Sequence, residues 1–201
     1  MSIKSSTPIE RRRKPDAVRE EALATGRRLL AQRGPGAITL KAIGAEMGMS
    51  HANLIHHFGS AEAFQDQLKS TLVQELTQTV TGLVHRYRAG QVRIADIVDT
   101  VFAAYSSGGI GTLVAWSAMT STGREDHGLN QAILELVTVL EGGMAGPQAL
   151  SRARAAVCLV TYLALGNSLI GGSLAKTMGS DKSVMRDFTV WVLEQLHKAG
   201  P

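Results

Sequence analysis

At 201 residues the chain is long enough to bury one sizeable core or two small ones. Apolar residues make up 44% and charged residues 19%, which excludes a disordered polymer and describes a soluble globular protein. A single cysteine, Cys158, excludes an internal disulfide framework, and the net charge of +4 is unequally held: residues 1–60 carry ten Lys/Arg against five Asp/Glu, residues 61–201 eleven against twelve.

A basic amino-terminal third on a nearly neutral body is the electrostatic footprint expected of a polyanion-binding segment. Residues 1–14 are polar and end in Arg11-Arg12-Arg13-Lys14. They contain no apolar run of the kind a secretory signal needs. They read as a basic arm suited to phosphate or minor-groove contact, or as a tail with no partner. The first helix is expected from about Asp16 to Arg33, with Val18, Ala22, Leu29 and Leu30 inward and Gly26 admitting a neighbouring helix. Gly34-Pro35-Gly36 ends it.

Residues 36–60, GAITLKAIGAEMGMSHANLIHHFGS, carry the densest pattern. Leu40, Ile43 and Met47 fall on one face of a short helix. Thr39 is its N-cap, since a hydroxyl there accepts a bond from an orphan backbone N–H, and Gly48 supplies the left-handed C′ position. Ser50 caps a second short helix, with Met49 and Leu54 at hydrophobic-staple spacing. In that helix Leu54 and Phe58 face inward, while His51, Ala52, Ile55 and His56 face out and Gly59-Ser60 ends it. Helix, glycine turn, capped helix is the helix-turn-helix pattern, its second helix sized for a major groove. Two packed amphipathic helices would share that spacing.

The wording of TLKAIGAEMGMSHANLIHHFGS, with REEALATGRRLLAQRGPGAIT before it, resembles the DNA-binding segment of the tetracycline-repressor (TetR) family. The resemblance covers about the first third of the chain; the rest is similar only in helical layout. It implies a DNA-binding set in which His51, Ala52, Asn53 and His56 read base edges, Thr39, Lys41 and the basic arm bind phosphates, and Ser50 also lies at the DNA. Many members have tyrosine where Ile55 stands and lysine where Ala61 stands, both serving phosphate contact. Here Ile55 is left to touch a thymine methyl or to border the backbone.

Beyond Ser60 a long helix is expected, with Phe64, Leu68, Leu72, Leu76 and Val80 repeating every four residues and Leu83 and Tyr87 continuing the stripe to about Arg88. It joins the head to the carboxy-terminal body, or is a simple spacer. Ile94, Ile97, Val98, Val101, Phe102 and Tyr105 mark the next helix, and an apolar one runs through Trp116 and Met119. Ser121–Asp126 reads as an exposed polar stretch. A helix from Leu129 to Leu140 comes after it, with Pro147 suited to N1 of its successor. No strand alternation stands out.

Residues 155–175 are uncharged, long enough by length alone to span a membrane. Thr161, Asn167, Ser168 and Ser173 dilute their hydrophobicity, so a helix buried on all sides in an oligomer is preferred to a membrane span. The last helix, about Asp181 to Lys198, has Val184, Phe188, Trp191 and Val192 on one side and Leu193 and Leu196 on another. The family resemblance implies that the last two helices of each subunit form a four-helix dimer core. It also implies a small-ligand cavity between the long helix and its successors. Phe102, Tyr105, Trp116 and Met119 are candidates to line it, or are simply core.

No catalytic motif accompanies these features. His51 and His56 are five apart, off the spacing that puts two ligands on one helix face, and His57 reads as packed. Cys158 reads as a small core residue. No P-loop, GxSxG or dinucleotide fingerprint is present, and the Gly108–Gly111 cluster has no strand before it. The expected protein is all-α, of about nine helices. Residues 1–62 form the arm and helix-turn-helix domain, and residues 63–201 a helical regulatory and dimerisation domain. The function expected is that of a cytoplasmic homodimeric regulator, most simply a repressor of a palindromic double-stranded DNA operator released by an unknown small molecule, with no cofactor, metal or membrane. The rival is a ligand-binding or enzymatic helical protein with a vestigial helix-turn-helix.

Overall fold

The computed structural model of the chain describes residues 14–120 and 127–198. Arg11, Arg12 and Arg13 of the basic arm, and the stretch 121–126, lie outside the described residues. Those described form nine helices and no strand: α1 (Pro15–Arg33), α2 (Leu40–Met47), α3 (His51–Phe58), α4 (Ala61–Arg88), α5 (Ile94–Ser106), α6 (Ile110–Thr120), α7 (His127–Glu141), α8 (Ala149–Met178) and α9 (Val184–Lys198). A 3₁₀ turn, Pro35–Ala37, links α1 to α2, and α8 contains a π turn at Asn167–Gly171.

The helix-turn-helix is set by side chains that cap their own backbone. Thr39 Oγ1 accepts from the Ala42 amide at 3.1 Å, Ser50 Oγ from Asn53 at 3.2 Å and Ser60 Oγ from Ala63 at 3.0 Å, so α2, α3 and α4 each start on a satisfied N-cap. Gly48 takes φ 65°, and the Met49 amide reaches back to the Gly44 carbonyl at 2.8 Å. No sequence signal marks Gly44 itself. A Cβ built on it would lie 2.6 Å from the Met49 carbonyl oxygen, so the two short helices cross where only glycine fits. Gly26 admits α4 as expected, its missing Cβ standing 2.8 Å from the Phe64 ring.

One buried apolar cluster runs from Val18 in α1, through Leu40, Ile43, Leu54 and Phe58, along α4 and into Val98, Leu113 and Ala164. Phe58 and Phe64 meet edge to face across the α3–α4 joint, centroids 4.8 Å apart. The head is therefore packed onto α4. Beyond it, α4 packs along α7, α5 and α6, while α5 lies between α4, α8 and α9. Buried Lys69 of α4 donates to Ser117 of α6 at 2.7 Å and to Asp66 at 3.2 Å.

Two expectations need correction. Pro147 does not open α8: the helix begins at Ala149 with Gln148 as its N-cap, and Pro147 lies in the turn before it. Cys158 is exposed on α8 and not a core residue. Within one chain α8 is not enclosed, because Tyr162 (69% exposed), Leu169, Ile170, Leu174 and Met178 all face outward. α9 adds Val184, Phe188 and Trp191 to the exposed apolar side chains, the last two stacked at 5.8 Å. It turns Thr189 and Leu193 inward.

Candidate nucleic-acid interface and ligand cavity

On α3 the burial pattern divides the helix cleanly. Leu54 and Phe58 are buried, while His51, Ala52, Asn53, Ile55 and His56 are exposed and His57 is half-buried. Ile55, at 43% exposure, is a large apolar side chain held out in solvent beside two histidines. Thr39, Lys41, Ser50 and Lys14 are exposed too. The Thr39 and Ser50 oxygens accept backbone N–H bonds, and each hydroxyl keeps its own proton to donate outward. Both sit at helix N-termini, where free amides and the helix dipole favour an anion.

Sequence reasoning missed how this face is braced. The Arg19 guanidinium of α1 donates to the His57 carbonyl at 3.1 Å, tying the carboxyl end of α3 to the first helix. A cation there also complements the negative end of the α3 dipole. It missed, too, that the head's positive count overstates its free charge. Arg27 pairs with Glu75 at 2.7 Å, Arg28 with Glu46 at 2.6 Å, and Arg33 with Glu46 at 4.0 Å. No local motif announces such partners 13 to 48 residues away. No group of His, Cys, Asp and Glu among the described residues is arranged to hold a metal.

In the body, α4, α5, α7, α8 and α9 enclose a cavity of about 610 Å³. Its wall is mostly aliphatic, with Val80, Val84 and Ile97 among its members, and its polar groups are Thr77, Tyr87, Arg88, Tyr105, Arg152, Thr161 and His197. Of the four residues singled out in sequence, Tyr105 lines it. Phe102 is buried in the core outside the wall, Trp116 stands beside the Gly36 turn, and Met119 is 78% exposed on α6. Burial raises the Tyr105 phenol above its ordinary range, partly offset by a bond from Thr161. Tyr87 is raised by burial and by the charge of Glu194, so both phenols are neutral at pH 7. The α7–α8 loop contributes Gly143, Met144 and Ala145 to the wall, an apolar lining that no periodicity marks.

Residues 22–67 match the sequence profile of "Bacterial regulatory proteins, tetR family". Among curated proteins none matches the chain. Three solved structures show how far the fold extends. Reduced NemR from E. coli is 21% identical and superposes with a TM-score of 0.62 over 89% of this chain and 97% of its own. A TetR-family transcriptional regulator from Pectobacterium atrosepticum is 15% identical, TM-score 0.66, over 95% of both chains. A protein from Saccharomonospora viridis, described as a transcriptional regulator and solved with choline, is 16% identical, TM-score 0.60, over 89% of this chain and 96% of its own. The match to the tetR-family model lies on α1–α3 and the start of α4, where the helix-turn-helix stands, and the helical fold shared with these three structures continues to α9.

Proposed function

We propose that the protein is a homodimeric repressor that leaves its operator when a small molecule occupies the cavity between α4 and α9. The observation carrying this reading is the division of α3. Its buried face is used in packing, and its exposed face offers His51, Ala52, Asn53, Ile55 and His56, none of them buried in packing among the described residues. Histidine and asparagine hydrogen-bond base edges, and Ala52 fits beside a thymine methyl. Thr39, Lys41, Ser50, Lys14 and the arginines of the arm neutralise and position phosphates. Residues 1–62 act as the DNA-binding unit and residues 63–201 as the regulatory and dimerising one.

Dimerisation is supported by the outward apolar side chains of α8 and α9. A second copy of the same pair would cover Tyr162, Leu169, Phe188 and Trp191 in a two-fold, self-complementary contact. Although α8 is long and apolar enough to cross a bilayer, it carries Arg152, Arg154 and Lys176 and packs against α5, α7 and α9, which favours protein over lipid as its cover, in a cytoplasmic protein. Two heads in such a dimer would meet a palindromic operator at half-sites one turn apart. A ligand stabilising another head spacing would release them. The test is a gel shift on genomic fragments at moderate salt. Sequence-specific binding by a dimer is expected, and its absence would favour a ligand-binding or enzymatic protein with an idle helix-turn-helix.

A further inference from the structure

The geometry points to an amphipathic anion, a single carboxylate or phosphate on an apolar body, as the class of molecule the cavity takes. This inference rests on reading the cavity as the ligand site and adds the ligand's chemistry. Arg152, on the first turn of α8, lines the cavity and donates one bond, from Nη2 to the Ala145 carbonyl at 2.7 Å. Its Nε is sealed from solvent and has no hydrogen-bond partner. A guanidinium cannot shed its charge by losing a proton, so an unanswered donor there is costly unless something arrives to accept from it. Arg88 adds a second positive charge at the rim. Its guanidinium lies over Gly143, where a Cβ would collide with it, and donates to the carbonyls of Val139 and Leu140 at the end of α7.

No Asp or Glu lines the cavity, and neither arginine is paired with a carboxylate among the described residues. Glu194, whose charge bears on Tyr87, is exposed and outside the wall. Two fixed cations against a largely aliphatic wall, with no anion of the protein's own, match a ligand whose head is negative and whose remainder is apolar. The carbonyls of Ala145, Val139 and Leu140 orient the two guanidinium groups before any ligand enters.

The test uses the full chain and displacement of bound Nile red, an uncharged probe, by decanoate, decyl phosphate, decan-1-ol and decylammonium at matched ionic strength. The anions should displace at concentrations about ten-fold lower than the alcohol, with the ammonium weakest. Which of decanoate and decyl phosphate is stronger identifies the head group. Arg152→Met, which keeps the bulk of the side chain, should bring acid and alcohol together and leave the alcohol unchanged. Arg88→Met should narrow the same gap without disturbing the α8 turn. Equal displacement by all four compounds would overturn the anion inference while leaving a ligand cavity in place. Failure of every compound to bind, Nile red included, would remove the ligand site and the inference with it.

Discussion

Gly44→Ala tests the joint that aims the recognition helix. In the interior of an unconstrained helix this change stabilises by about 1 kcal/mol, because glycine is the freer residue in the unfolded chain. At Gly44 the new Cβ would stand 2.6 Å from the Met49 carbonyl oxygen, whereas ordinary contact begins at 3.4 Å. Opening the remaining gap of about 0.8 Å means moving backbone, since the Met49 amide is bonded to the Gly44 carbonyl and Ser50 caps α3. Overpacking of this kind costs about 1–3 kcal/mol, enough to cancel the propensity gain and leave a net loss of up to about 2 kcal/mol. For a chain of this length each kcal/mol is roughly 2–4 °C in Tm. Gly82→Ala is the internal control: in α4, with nothing within 4 Å of its Cβ, it should raise Tm by the propensity term alone. Calorimetric melts and operator titrations of both variants make the comparison. Gly44→Ala should melt lower and bind more weakly, because any relief at Met49 swings α3. A Gly44→Ala protein that melts as high as Gly82→Ala would refute the account of the turn.

Deleting residues 1–14 should flatten the plot of log K against log salt by about 0.9 for each phosphate the arm neutralises, and an unchanged slope would free the arm of any role on DNA. Gly166→Leu meets open space within one chain, so sedimentation equilibrium should show a weaker dimer with an intact monomer fold; undiminished dimerisation would place this part of α8 outside the interface. Ile55→Tyr should tighten operator and random DNA alike, by roughly 1.5–3 kcal/mol before ordering costs, if the site borders the backbone. Loss confined to the operator would instead assign Ile55 to a thymine methyl.

The head is legible in the sequence because its determinants are local. Thr39, Gly48, Ser50 and Ser60 act on backbone within four residues of themselves, and Leu54 and Phe58 fall on one face of a short helix. Long helices with a four-residue stripe are legible for the same reason, and α4 ends at Arg88, where the stripe ends. What escapes depends on partners distant in the chain. The Arg19 bond to the His57 carbonyl and the pairing of Arg27 with Glu75 carry no periodic signature. The cavity escapes because its wall is drawn from five helices and a loop, so an aromatic cluster on α5 and α6 marks core and surface as readily as lining. Apolar runs fare similarly. Residues 155–175 announce a helix that must be covered, but composition does not say whether its own chain does the covering.

Head and body share one core along α4, and that makes α4 a lever. Its 28 residues span about 42 Å at the standard helical rise, with the head on its first turns and the cavity wall on its last four. A tilt of roughly 5° about the far end would carry the head through about 3.7 Å by the same rise. Successive bases along a strand are separated by about 3.4 Å. An adjustment of a few tenths of an ångström per turn at the cavity therefore becomes, at α3, a displacement of one base step.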